Sequence, residues 1–408
     1  MTVAGVVAAA AERGLIDESD TAVIAFDLDV LERQVHRVRA AFPETAWHAI
    51  AVKTNPLVCV LRELADMGVF AEAASAEELA IARAAGFGDR CVWDSPAKTE
   101  LEIAAHMIQP PRLVNVDSLS ELARYGAGDV KLGLRVNPEL RPDTINALAT
   151  GVSGSKFGVA ISDRETIVDA YEREPRLTAI HVHSGSNSRS LEPMVAAVER
   201  TVALADEVNA RRSTSGQIDT VDIGGGLKST LGADEELSVE RYAELLAQRV
   251  PALFDGTYRV VTEFGRFHHL AAGATASRVE YVSEAEERRH VVVHVGADSF
   301  VREVYDADNW RVEFEGHGPV RPGDTGFDVV GPLCFEGDVI ARAVGGSTPS
   351  VGDWLIARNT GANTFSLWSR HCSRVFPTVL LYRSSDVDAS LRVGKRRERV
   401  DDVVAFWS

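Results

Sequence analysis

Eight short apolar runs, most followed by a helical pattern, constrain this 408-residue chain more than any other feature. The runs are Trp47–Val52, Val69–Ala74, Cys91–Trp93, Leu113–Val116, Lys131–Val136, Ala179–His183, Thr220–Ile223 and Tyr258–Thr262. Helical patterns fall at Leu57–Met67, Ala76–Ala85, Lys98–Met107, Leu119–Tyr125, Asp163–Tyr171, Leu191–Asn209 and Val239–Leu253, and one more, Leu31–Ala41, precedes the first run. Strand-length runs alternating with helices specify βα units and a parallel sheet. Eight in series specify a closed α/β barrel of the (β/α)8, TIM-like type. The expected barrel domain is 28–273.

After about Gly273 the rhythm changes. Strand-like runs continue at Arg278–Val282, His290–Val295, Val339–Val344, Trp354–Ala357 and Thr378–Tyr382, with no long helix between them. Glycine and proline cluster at Gly316–Gly326 and Gly345–Gly352, as in β turns. A separate antiparallel β domain, sandwich- or barrel-like, is expected over 274–408. Thr21–Phe26 is also strand-like and is expected to pair with it. That makes the β domain discontinuous, built from 1–27 and 274–408.

In such a barrel, chemistry gathers at the C-terminal ends of the strands. The first run ends in Lys53, where burial lowers an amine pKa and frees it for Schiff-base chemistry. The competing reading is a lysine reaching past the strand end to solvent. The seventh run ends Asp222-Ile223-Gly224-Gly225-Gly226, whose glycines let backbone N–H groups approach a phosphate. The eighth ends Glu263-Phe264-Gly265-Arg266, and Arg266 offers a cation to the same phosphate. The sixth ends His181-Val182-His183, two residues on one strand face. His-x-His is a weak zinc signal, and no metal is expected. A lysine, a phosphate loop and a glutamate at one barrel mouth suit pyridoxal 5′-phosphate, which needs an amine partner, a phosphate cradle and a partner for its pyridine nitrogen. Glu263 supplies that last partner.

Charge and cysteine usage narrow the partners. Lys plus Arg number 43 against 60 Asp plus Glu, a net charge of −17 with no basic block long enough to serve as a polyanion site. Such a chain is a poor ligand for nucleic acid or anionic membrane. No run approaches the roughly 18 apolar residues of a membrane span, and Val3–Ala11 reads as the start of a helix rather than as a signal peptide. Cys59, Cys91, Cys334 and Cys372 stand far apart, with no CxxC pair, as expected in a reducing cytoplasm.

With these motifs in view, the chain resembles the fold-type III pyridoxal-phosphate decarboxylases, the diaminopimelate and ornithine decarboxylase family. The resemblance covers nearly the whole length. Ala51-Val52-Lys53-Thr54-Asn55-Pro56 looks like the family's cofactor-lysine motif, and His181–Asn187 like its His-x-His-x-Gly-Ser-Gln motif. By that likeness His183 stacks on the pyridine ring, and Ser186, Gly224, Gly225, Gly226, Gly265 and Arg266 hold the phosphate. Gly331–Asp338 resembles a Gly-Pro-Leu-Cys-x-x-x-Asp motif, whose cysteine reaches the partner subunit's site; Lys156-Phe157-Gly158 and Gly361-Ala362 also match. The resemblance implies a homodimer with shared active sites and catalysis by Lys53, His183 and Cys334, the last as proton donor at Cα. The related alanine racemases place an arginine at the pyridine nitrogen, so Glu263 favours decarboxylation. Non-catalytic pyridoxal-phosphate proteins resemble the barrel alone.

The substrate end departs from the family pattern. The resemblance implies substrate contacts at Arg302, Tyr305, Phe335, Glu336 and Asp338. Aligning Tyr305 with the tyrosine of the family's Arg-Pro-x-x-Tyr segment puts Val301 where the arginine belongs, with Arg302 one position out. On an extended segment such a shift turns a side chain to the other face. Phe335 replaces an acid that meets the substrate's distal amine, and Asn363 replaces a tyrosine beside the cofactor. A modified or anionic amino acid, such as the citryl-diaminopropionate of siderophore biosynthesis, is the expected substrate, with Arg302, Arg370, His371 and Arg374 meeting its carboxylates. Ordinary meso-diaminopimelate decarboxylation is the alternative.

Overall fold

The computed structural model describes residues 1–126, 128–211, 217–228, 237–285, 288–320 and 325–408. Contacts divide the chain into two compact units, 33–268 and 1–32 with 269–408. Strand β1 (Ala22–Asp27) belongs to the second of these.

The unit 33–268 is the expected barrel. Its strands are β2 (Trp47–Ala51), β3 (Phe70–Ala73), β4 (Cys91–Trp93), β5 (Leu113–Val116), β6 (Leu132–Asn137), β8 (Leu177–Val182), β9 (Thr220–Asp222) and β10 (Arg259–Thr262); the two-residue β7 (Val159–Ala160) adds to β6 from outside the ring. Every neighbouring pair is parallel, and β10 pairs with β2, which closes the ring. Several helices start at Ser or Thr caps that satisfy otherwise unpaired first-turn N–H groups. Ser75 Oγ accepts from Glu78 N at 3.1 Å, and Thr99 and Glu102 form a reciprocal capping box.

Inside the ring the period-2 rule sorts residues by height. Ala49, Val92, Leu113, Ala179 and Val261 form an apolar cluster, with Trp47 and Phe70 packed against it. Two residues further along the same faces stand Ala51, Glu72, Asp94, Asn115, His181 and Glu263. The interior therefore changes from apolar to charged towards the C-terminal end of the strands. Gly133 permits one of these placements, because a Cβ there would collide with the Asn115 side chain.

The second unit carries two sheets. One has the order β14 (Glu313–Phe314), β18 (Trp354–Arg358), β11 (Gly273–Arg278), β1, β19 (Thr378–Tyr382), β20 (Arg392–Lys395). The other runs β12 (Tyr281–Ala285), β13 (Arg288–Val292), β16 (Phe327–Val330), β17 (Val339–Gly345), β15 (Gly318–Pro319). The segment Thr21–Phe26 does join this unit, as β1. Most pairings in these sheets are antiparallel, as expected, and two are parallel: β1 with β19, and β13 with β16. The run expected at Arg278–Val282 straddles the break between β11 and β12. Of the turn-rich stretch 316–326, residues 321–324 lie outside the described residues. Among the described residues no helix is long and apolar enough to cross a membrane.

Candidate active site

Lys53 stands just beyond β2 in a single 3-10 turn, Val52–Thr54. Its Nζ donates to Glu72 Oε2 at 2.7 Å. Burial opposes the charge on Lys53, but Glu72, Glu263 and Asp94 outweigh it and hold the ammonium pKa above its ordinary value. This corrects the expectation of a lysine freed by desolvation: in this state the amine is kept charged. Glu72 is fully buried, and burial raises its pKa against the pull of Lys53.

Glu263 follows β10 and is also buried. Burial, then Asp222, Asp94 and Glu72, push its carboxyl well above the usual range. Its Oε2 lies 3.4 Å from His183 Nδ1, while its Oε1 is buried with no hydrogen-bond partner among the described residues. His183, one residue past β8, is held neutral by burial and by the positive charges of Arg135 and Lys53. His181, on the same strand face, lies with its ring parallel to that of His183, 9° apart in tilt and 6.4 Å between centroids. Ligand atoms of His181, His183 and Glu263 fall within 4.8 Å of one another, a grouping of metal-binding type.

The loops after β8 and β9 interlock. Ser188 N donates to Gly226 O at 3.1 Å, and Glu263 N donates to Gly224 O at 2.8 Å. Gly224 and Gly226 have φ of +67° and +101°, conformations that side chains rarely adopt. A Cβ on Gly225 would strike the Glu263 carbonyl, and one on Gly226 the Gly185 carbonyl. Gly265 packs against Thr54 and Ala51, which ties the loop bearing Arg266 to the lysine turn. Lys53, His183, Ser186, Gly224, Gly225, Gly226, Glu263, Gly265 and Arg266 thus gather at one end of the barrel.

A pyridoxal phosphate fits this end on two counts. The orphaned Glu263 Oε1 is an acceptor for a ring N–H, and the side-chain-free loop at Gly224–Gly226 leaves backbone for a phosphate. The sequence profile described as "pyridoxal-dependent decarboxylase, pyridoxal binding domain" matches residues 28–269. The chain belongs to the pyridoxal-dependent decarboxylase family. Diaminopimelate decarboxylase of Deinococcus radiodurans is 30% identical over 394 residues, covering 94% of this chain and 95% of its own. That of Zymomonas mobilis is 29% identical over 370 residues, with coverages of 87% and 84%. The crystal structure of diaminopimelate decarboxylase from Helicobacter pylori, complexed with L-lysine, shares the fold with a TM-score of 0.83 at 22% identity, over 95% of this chain and 96% of its own. This decarboxylase is therefore a carboxy-lyase of the diaminopimelate decarboxylase type, and its cofactor is pyridoxal 5′-phosphate.

The remaining expected residues, Cys334, Arg302, Tyr305, Phe335, Glu336, Asp338 and Asn363, belong to the other unit of the decarboxylase. Cys334 and Glu336 are exposed. Phe335 stacks on Tyr305, with 6.1 Å between centroids and 6° between planes, and meets His371 edge-on. Arg302 sits on the helix Val301–Tyr305, so the argument from an extended segment is corrected: one position shifts it by about 100° around the helix, not to the opposite face. Its guanidinium covers Trp310 at 4.7 Å, and Nη1 is buried without a hydrogen-bond partner among the described residues. Asp338 departs from its expected substrate role. It is buried, and its two oxygens accept from Ala297 N and Leu333 N at 2.7 Å each, which fastens the loop bearing Cys334. Arg370 is likewise committed, to Glu398 at 2.7 and 2.9 Å and to the ring of Trp368. Asn363 has φ of +55°, a conformation that asparagine tolerates better than tyrosine.

The sequence reading missed Glu72, Asp94, Asn115 and Arg135, and it quoted Asp222 without a role. Arg135 is buried beside Asp117 at 3.3 Å and Asp94 at 3.9 Å. A usable signal was present. Each follows an apolar residue or glycine by two on its strand face, as in Phe70/Glu72, Val92/Asp94 and Gly133/Arg135, and a charge at such a position must find a partner inside the ring.

Proposed function

We propose that this decarboxylase releases the α-carboxylate of a modified or anionic amino acid as CO2, with citryl-diaminopropionate as a candidate substrate. The cofactor, when bound, supplies an electron sink for the carbanion left by CO2. Lys53 binds it covalently, and Glu263 pairs with its ring nitrogen. His183 covers one face of its ring. Ser186, the glycines 224–226 and Arg266 hold its phosphate. Cys334 delivers the proton to Cα from the neighbouring chain of a homodimer, and its exposure in the single chain is in keeping with that.

The observation that carries the anionic reading is the buried Nη1 of Arg302, which has no hydrogen-bond partner among the described residues. A guanidinium N–H without an acceptor is a costly arrangement that a substrate carboxylate relieves. Phe335, stacked on Tyr305 and edge-on to His371, supports the reading from the other side, since it offers a distal ammonium no charge. Arg370 is withdrawn from the expected contacts by its pairing with Glu398. A second reading, meso-diaminopimelate, is favoured by the names of the relatives.

A CO2-release screen over meso-diaminopimelate, ornithine, lysine, arginine and citryl-diaminopropionate separates the two. Leaving a charged substrate group buried and unpaired costs ~3–5 kcal/mol. The kcat/KM for meso-diaminopimelate is therefore expected to fall at least about a hundredfold below that of the true substrate. Efficient turnover of meso-diaminopimelate, with nothing better in the panel, overturns the proposal in favour of the second reading.

A further inference from the structure

His183 and Ser186 stand beyond the end of β8, where the sheet ladder stops and the backbone carbonyls need other donors. One segment, 138–158, which joins β6 to β7, supplies them. Thr150 Oγ1 donates to His183 O at 2.7 Å, and Thr144 Oγ1 donates to Ser186 O at 2.7 Å. Gly151 N donates to Ser184 O at 2.9 Å, and Ser186 N donates back to Leu148 O at 3.1 Å. Arg189 N donates to Asp143 O at 2.7 Å. The two segments also touch too closely for added side chains. A Cβ on Gly185 would meet Pro142 Cγ at 2.9 Å and Leu148 O at 3.0 Å, and one on Gly151 would meet Ser184 Cα at 2.9 Å. The clasping segment is itself anchored to the barrel: Asn137 Nδ2 donates to Val152 O at 2.8 Å, and Gly158 N donates to Asp117 Oδ2 at 3.3 Å.

We infer that Thr150 and Thr144 are positioning residues for the cofactor, Thr150 by fixing where the His183 ring stands and Thr144 by fixing where the Ser186 hydroxyl points. A ring that covers another must hold one height and one tilt, and a hydroxyl that meets a phosphate must hold one direction. Each side chain starts from its own backbone, and the rotamers open to it depend on that backbone's conformation. A carbonyl pinned on the same residue therefore limits where the side chain can reach. The backbone N–H groups of the clasp are present whatever side chains the segment carries. The two threonine hydroxyls are the part of it that depends on residue type. Both roles rest on the reading that His183 covers the cofactor ring and Ser186 meets its phosphate.

The test strips the full-length protein of cofactor and titrates it with pyridoxal 5′-phosphate, following the visible band. Valine keeps the shape of threonine without the donor, and serine keeps the donor. Thr150→Val and Thr144→Val are each expected to raise the dissociation constant about tenfold, the effect of one lost hydrogen bond, while Thr150→Ser and Thr144→Ser stay within about threefold of the parent. Thr150→Val should also shift the visible band of the loaded protein, and Thr144→Val should leave it in place. With pyridoxal, which has no phosphate, Thr144→Val is expected to bind as the parent does. Thermal melting without cofactor identifies folded variants, and alanine at the same two positions makes the comparison where valine does not fold. Unchanged affinity in the folded valine variants overturns the inference, as does equal weakening by valine and serine. His183→Gln and Ser186→Ala serve as references. If they weaken binding while the threonine variants do not, the inference falls and the reading of His183 and Ser186 stands. If neither weakens binding, that reading falls and takes both positioning roles with it.

Discussion

Lys53 Nζ and Glu72 Oε2 stand 2.7 Å apart at the mouth of the barrel, and the glutamate has no exposure to water. A lysine must shed its proton to attack an aldehyde, and this contact holds the proton on. Glu72→Gln is therefore expected to speed cofactor loading at neutral pH, roughly tenfold for each unit by which the lysine pKa falls. Stopped-flow growth of the visible band of the yellow protein measures it. Lys53→Ala should show neither the band nor borohydride fixation of the cofactor. Loading of Glu72→Gln no faster than that of the parent shows that the pair does not limit attachment.

Asp338 is expected to report on stability rather than on substrate. Asp338→Ala leaves the buried N–H groups of Ala297 and Leu333 without acceptors, at a cost of about 3 kcal/mol. Urea denaturation followed by far-UV circular dichroism checks this. A large rise in KM with unchanged stability would restore the substrate role.

The exposed Cys334 leads to a mixing experiment. If Lys53 and Cys334 of one site come from different chains, inactive Lys53→Ala and Cys334→Ala subunits should regain part of the activity when mixed. Some heterodimers then carry one intact site. Mass spectrometry of the mixture confirms exchange, and exchange without regained activity counts against a shared site.

Acid sensitivity of the barrel should trace in part to His48 and His268. Burial, then the charges of His268 and Arg39, hold His48 down to about 3, and burial holds His268 down to about 4. Both pKa values are depressed, so the unfolded chain takes up protons that the folded one refuses. Their stabilisation is complete above about pH 6.5 and drains away as pH falls towards 4 and 3. His48→Gln should flatten the slope of stability between pH 4 and 6 by up to about 1.4 kcal/mol per pH unit. Denaturant midpoints across that range give the slope, and an unaltered slope refutes the assignment.

The amino-acid sequence by itself determined the barrel, because each βα unit writes its own period and its own caps. The runs that begin at Trp47, Val69, Cys91, Leu113, Lys131, Thr220 and Tyr258 sit within a residue or two of the strands they become. The lysine turn, the glycine loop and Glu263 were legible for the same reason: each lies where a strand ends, and that is a local property. What only the tertiary structure decided is the company these residues keep. Glu72, Asp94, Asn115, Arg135 and Asp222 come from five different strands or strand ends, and they converge on Lys53 and His181 only once β10 closes on β2. Closure also reversed the sign of the expected effect on Lys53: burial alone favours a neutral amine, whereas burial among carboxylates favours an ammonium. In the β unit the mixed pairing of β1 with both β11 and β19 escaped the sequence, because strand direction is set by partners far along the chain and leaves no mark on the alternation within a strand.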